Sequence, residues 1–263
     1  MYWIKYLYRI IMFSSLLSFN KVTSFKNTIM KSNTIKRYAS KYKIDYTDTL
    51  LVSKSEGQRL YKKTLYDSNI DLIVCQGPAG TGKTSLACDY ALDLLSQNKI
   101  NKIIITRPTT SIEENLGYLP GDINQKMIPW TAPIFDIFLT HMKKTELDFF
   151  IKEQIIEVCP LGFIQGRTFK NSIIIADEMQ NSSPTQMFML LTRIGENSKM
   201  IINGDLKQNQ NQNNGLRDLL DKFSNQYEFQ HELYEKGISI IQLKEKDIQR
   251  HKIISYILDI YHK

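Results

Sequence analysis

Apolar side chains along this chain fall into short, β-branched runs, with longer stretches of good helix formers between them. Residues 70–76 form the first run. It follows a break at Asp67-Ser68-Asn69 and ends at a glycine, so it reads as a buried strand. Lys102–Thr106, Ser172–Ala176, residues 200–203 and residues 238–243 have the same character, and five strands are predicted. Helices are predicted over residues 54–66 and 83–97. In the second, Leu86, Tyr90, Leu94 and Ala87, Ala91, Leu95 recur at helical spacing. Residues 252–261 read as a closing helix. Pro108, Pro120, Pro129 and Pro133 make residues 107–140 an irregular insertion over the strand ends, with a helix near its end. The Gln/Asn run from Gln208 to Asn214 reads as a loop inside the domain. Strands alternating with helices imply an α/β fold: a parallel sheet with helices on both faces.

The first strand runs into Gly77-Pro78-Ala79-Gly80-Thr81-Gly82-Lys83-Thr84, which matches the full phosphate-loop pattern. Glycines let the backbone wrap so that several N–H groups point at phosphate oxygens. The following helix adds its N-terminal dipole and unpaired N–H groups. Lys83 supplies a compact positive charge for the β- and γ-phosphates, and the Thr84 hydroxyl a ligand for magnesium. A chance glycine-rich turn would lack this strand–loop–helix context.

Ser172–Ala176 ends in Asp177-Glu178. A phosphate-loop enzyme needs a carboxylate at a neighbouring strand end to hold magnesium through water, and Asp177 fits that role. Glu178 is placed to orient or deprotonate an attacking water. The bland alternative is a helix N-terminus with dipole-compensating charge. Gly204-Asp205-Leu206-Lys207-Gln208 follows the fourth strand, where a polar residue reaches the γ-phosphate or simply closes a turn.

Charge gives little support to a nucleic-acid reading. The formal net charge is +7, but nine of the 34 Lys and Arg lie in residues 1–44, which hold no Asp or Glu. Residues 45–263 therefore carry 25 basic against 27 acidic side chains. The two parts are read as a basic extension, 1–44, and a domain, 45–263. Residues 10–19 are an apolar run too short to span a bilayer comfortably. The extension suits a signal peptide, an organellar transit peptide, a start at Met12 or Met30, or a segment with no address. A cytoplasmic location is the first expectation, without stable membrane insertion. Cys75, Cys88 and Cys159 show neither disulfide nor zinc spacing and read as small buried thiols.

Taken together, these motifs resemble the PhoH-like family, relatives of the helicases with the Asp-Glu-x-Gln form of the magnesium motif. The carrying segments are the phosphate loop, Thr106-Arg107-Pro108, Leu116-Gly117-Tyr118-Leu119-Pro120-Gly121-Asp122, Gly166-Arg167-Thr168 and Asp177-Glu178-Met179-Gln180-Asn181. Gln186-Met187 through Gly195, Gly204-Asp205-x-x-Gln208 and Asp247-Ile248-Gln249-Arg250-His251 complete the set. The sequence departs from the family at Ile164-Gln165, before Gly166-Arg167, and at Gln210-Asn211-Gln212, where an acidic continuation is usual.

The resemblance implies a single RecA-like P-loop NTPase domain that binds ATP with Mg2+ and hydrolyses it. It implies that Gln58 reads the adenine edge, that Gln180 and Gln208 sense the γ-phosphate, and that Arg250 is an arginine finger. Arg107, Arg167 and Arg193 become candidates for phosphate contacts or structural ion pairs. The length has room for one such domain, so coupling to single-stranded RNA or DNA implies a homo-oligomeric ring, for instance a hexamer, with Arg250 completing the next subunit's site. A nucleotide-dependent switch or assembly protein is the competing class. A small-molecule kinase fits the Asp-Glu-Met-Gln and Gly-Asp-x-x-Gln blocks less well.

Overall fold

The computed structural model describes residues 51–108, 132–209, 213–249 and 260. Its sheet has six parallel strands: β1 (Leu72–Gln76), β2 (Lys102–Thr106), β3 (Ile156–Val158), β4 (Ser172–Ala176), β5 (Lys199–Gly204) and β6 (Ile238–Gln242), in the order β3-β2-β4-β5-β1-β6. The central strands are buried on both faces, β4 and β5 along their whole length. That is why they read as unbroken apolar runs rather than as an alternation.

Seven helices are described: α1 (Glu56–Leu65), α2 (Lys83–Ser96), α3 (132–139), α4 (Lys144–Lys152), α5 (Pro184–Leu191), α6 (Gly215–Gln226) and α7 (Gln230–Glu235). Val74, Ile104, Ile174, Met200 and Ile202 pack one sheet face against Met187 and Leu190 of α5 and Leu216 and Leu219 of α6. The opposite parity, Ile73, Ile105, Ile175 and Ile201, faces α1 and α2. Tyr61 of α1 marks that face, donating its hydroxyl to the Asn203 side chain of β5 at 3.2 Å. The expected α/β architecture is therefore present, a RecA-like parallel sheet with helices on both faces.

Local signals set the ends of these helices. Ser55 caps α1 by accepting from the Gln58 N–H at 3.1 Å, so the helix begins after the predicted residue 54. The Lys199 ammonium binds the Leu65 and Asp67 carbonyls, each at 2.7 Å, and closes its C-terminus. Ser183 and Gln186 form a capping box on α5, with Pro184 in the first turn.

Sequence reading missed β3, an edge strand of three residues with no room for a periodic signal. It also placed no helix at α4, α5, α6 or α7. The predicted helix at 252–261 lies outside the described residues apart from Ile260, which is helical. Helix α2 is less amphipathic than its spacing suggests, because even Asp89 and Asp93 are buried. Asp89 accepts from the Leu51 N–H, and Asp93 from the Tyr66 hydroxyl. Among the described residues no helix is long and apolar enough to cross a membrane.

The strand order creates one topological switch. The chain leaves β1 for α2 on one face and leaves β5 for α6 on the other. A crevice opens between these two neighbours at their C-terminal ends, where ligands bind in open α/β sheets.

Candidate nucleotide site

Gly77 opens the loop beside β5. Its N–H donates to the Gly204 carbonyl at 3.1 Å. A Cβ on Gly77 would stand 2.6 Å from the Leu243 carbonyl oxygen, so glycine is required by close approach. Gly82, at φ 84°, turns the chain into α2 and caps it without a side chain. The first turn of α2 also contains no acidic residue. Its N–H groups and dipole are thus available to an anion.

The Lys83 ammonium donates to the carbonyls of Gly77 at 2.6 Å and Pro78 at 2.9 Å, so the loop curls around it. Burial pulls its pKa below the ordinary lysine value, against the pull of Cys75, Asp205, Asp177 and Glu178 nearby. The Thr81 hydroxyl donates to the Pro78 carbonyl at 2.8 Å and braces the turn.

Asp177 reaches this loop from further away than the sequence suggests. β4 does not neighbour β1, because β5 lies between them. This corrects the expectation of a neighbouring strand end. The inserted strand brings its own turn, Gly204 to Gln208, into the gap. Thr84, on the first turn of α2, spans the distance and donates its hydroxyl to Asp177 Oδ1 at 2.8 Å.

The other carboxylate oxygen, Oδ2, accepts from Arg107 Nε at 3.1 Å and also from Nη2. Side-chain exposures of 12% and 3% make this a buried ion pair. Of the two readings open for Arg107, the structural ion pair is the one observed. Arg167 likewise pairs bidentately with Glu157 at 2.6 and 3.0 Å. Arg193 binds the Met189 and Arg167 carbonyls.

Glu178 adopts a left-handed backbone, φ 56° and ψ 34°. Such a conformation is strained for a residue with a side chain, and strain of this kind concentrates at functional positions. Its Oε2 accepts from Gln180 Nε2 at 2.6 Å. Gln180 is buried, and its own oxygen accepts from the Asp205 N–H at 3.0 Å. Its amide also reaches Gln208 Oε1 at 3.4 Å. Gly204 permits this packing, since a Cβ there would lie 2.9 Å from Gln180 Oε1 and 2.4 Å from the Leu216 side chain. Glu178, Gln180, Gln208 and Asp205 therefore form one linked set.

Gln58 lines the same cavity, of about 460 Å³, together with Lys83, Thr84, Asp177, Glu178 and Gln208. Its carboxamide oxygen accepts from the Lys54 N–H at 2.8 Å, and its NH2 donates to the Thr81 carbonyl at 3.0 Å. It ties α1 to the loop. Arg250 lies outside the described residues. Leu51, Val52 and Gln249 also line the cavity; no motif included the first two, and Gln249 stood in the C-terminal block without a role. Gln249 could have been noticed only as a neighbour of Arg250 in the C-terminal block.

The donors suit a nucleotide with a hard divalent cation. A hydroxyl and a carboxylate oxygen side by side are the ligand types magnesium takes, with water and phosphate oxygens completing its shell. Among the described residues no three His, Cys, Asp or Glu side chains cluster as an all-protein metal cage. The cysteines are free and buried, and burial pushes the Cys75 thiol up to about 12.

This sheet order, with a glycine-rich loop at the switch point and a serving carboxylate two strands away, defines a nucleotide-binding P-loop NTPase. The chain belongs to the PhoH-like protein family, whose profile matches residues 50–262. It is 36% identical over 239 residues to a PhoH-like protein of Bacillus subtilis, covering 89% of this chain and 72% of that protein. A PhoH-like protein of Synechocystis is 35% identical over 80% of this chain, and Protein PhoH of Escherichia coli K12 is 32% identical over 80%. The chain spans 62% and 58% of those two relatives' lengths.

Proposed function

We propose that the protein hydrolyses ATP with magnesium in the crevice between β1 and β5, and couples that hydrolysis to single-stranded RNA or DNA. The observation that carries the hydrolytic reading is the meeting of the Thr84–Asp177 pair, the strained Glu178 and the phosphate loop in one cavity. In this reading the loop N–H groups and Lys83 bind the phosphates and stabilise charge on the transferring phosphoryl group. Thr84 and Asp177 would hold magnesium, which supplies Lewis-acid charge at the phosphate oxygens when bound. Glu178 takes the proton of the attacking water. Gln180 sets the Glu178 carboxylate, and Gln208 reports the γ-phosphate to the turn after β5. Gln58 borders the adenine end.

The coupling to a polynucleotide is supported by membership of a family that resembles helicases, and not by charge. Domain 45–263 provides one nucleotide-binding unit, so the reading includes a homo-oligomeric ring in which Arg250 acts as an arginine finger. Its neighbour Gln249 donates its N–H to the Gly80 carbonyl of the same chain at 2.9 Å. Arg250→Ala is mixed with wild type at fixed total protein, and turnover is followed with and without single-stranded RNA or DNA. The expected results are stimulation by polynucleotide and a fall in turnover steeper than the variant's share. A fall in strict proportion removes the shared site. Turnover indifferent to both polynucleotides removes the coupling and leaves a nucleotide-dependent switch.

A further inference from the structure

One wall of the cavity has no part in the chemistry above. Sheet order sets β6 on the opposite side of β1 from β5 and β4. The chain leaving β6 runs back over the phosphate loop. The Leu243 N–H donates to the Gln76 carbonyl at 2.8 Å, and Leu243 packs directly on Gly77. A 3-10 turn, Glu245–Asp247, follows. Asp247 is buried over the N-terminus of α1, where its carboxylate occupies the space beside Gly57. The helix dipole favours a negative charge there. The strap then returns to the loop through the Gln249 N–H, bonded to the Gly80 carbonyl at 2.9 Å. It thus touches the loop at both ends and α1 in the middle.

The two glutamines on this side differ in what they are free to do. The Gln58 carboxamide is engaged at both ends, with Lys54 and Thr81, and only 5% of the residue is exposed. Gln249 is exposed and lines the cavity, and among the described residues its carboxamide has no hydrogen-bond partner. Val52, 81% exposed, and Leu51 line the cavity with it.

We infer that Gln249 is the base-reading residue of this site, and that the strap Leu243–Gln249 holds it there. The inference rests on the nucleotide reading above. A nucleotide whose terminal phosphate faces Asp177 and Glu178 has its nucleoside on the β6 side of the loop. Leu51 and Val52 offer the flat base an apolar surface. The Gln249 carboxamide offers an acceptor and a donor side by side, the complement of adenine's N6 and N7, where guanine presents two acceptors.

The test measures the affinity of wild type and Gln249→Ala for ADP and for inorganic tripolyphosphate, which has no nucleoside, by calorimetry. Gln249→Ala is expected to weaken ADP about 5- to 150-fold, the range of one lost bidentate base contact, and to leave tripolyphosphate unchanged. Equal weakening of both ligands overturns the inference, because the strap then only shapes the loop. Unchanged ADP affinity overturns it too. A wild type that binds neither ligand overturns the nucleotide reading itself, and this inference with it.

Discussion

Asp177→Asn is expected to abolish magnesium-dependent turnover and to destabilise the fold, two effects with separable causes. The first follows from loss of a charged oxygen donor beside Thr84. The second follows from the buried Arg107–Asp177 ion pair, which the substitution breaks from one side. Breaking a buried ion pair from one side costs about 3–5 kcal/mol. In a domain of this size that is a fall of roughly 6–20 °C in Tm. Arg107→Met alone should destabilise comparably, since it strands the carboxylate. The double variant should recover part of the stability, because no buried charge remains unpaired, yet stay inactive. Thermal unfolding of the four proteins in this cycle checks the first half and phosphate release the second. Additive losses in the double variant would mean that the pair is not coupled.

Glu178→Gln should separate binding from hydrolysis. The substitution keeps the shape, the left-handed backbone and an acceptor for the Gln180 amide. It removes the basic oxygen. A positioned general base contributes about 10²–10⁴-fold, so kcat should fall by that factor. ATP affinity should change little, because Lys83 and the loop are intact. Single-turnover hydrolysis beside equilibrium binding reads the two quantities apart. A variant that turns over at the wild-type rate would remove Glu178 from the chemistry and leave its strained backbone without this explanation.

These two residues also mark how far local sequence places the parts of the cavity and where it stops. The phosphate loop was legible because its function is local. Glycine spacing, one lysine and one hydroxyl mark the motif within eight residues, and the strand and helix expected on either side of it are present. Asp177 and Glu178 were legible for the same reason, at the end of an unmistakable strand. What joins them to the loop was not. Arg107 and Asp177 are 70 residues apart, and nothing local distinguishes an arginine bound to a carboxylate from one bound to a phosphate. The position of β5 between β1 and β4 depends on pairing between distant segments. Gln58 shows a subtler gap. Its place beside the cavity was legible by resemblance, but its bonds to Lys54 and Thr81 depend on how α1 docks on the loop. β3 was lost to shortness, and the strap after β6 to the lack of any periodic pattern.

The proposed ATP hydrolysis at the Gly77–Thr84 loop is tested most directly by phosphate release from ATP with magnesium by wild type and by Lys83→Ala purified in parallel. Lys83 lies on the loop carbonyls of Gly77 and Pro78 and lines the cavity proposed for the phosphates. Removing a preorganised charge of this kind costs on the order of 10²–10³-fold in rate. The expected result is magnesium-dependent release by wild type and a loss of at least that size in the variant. Equal release by both proteins, or none by either, would contradict it.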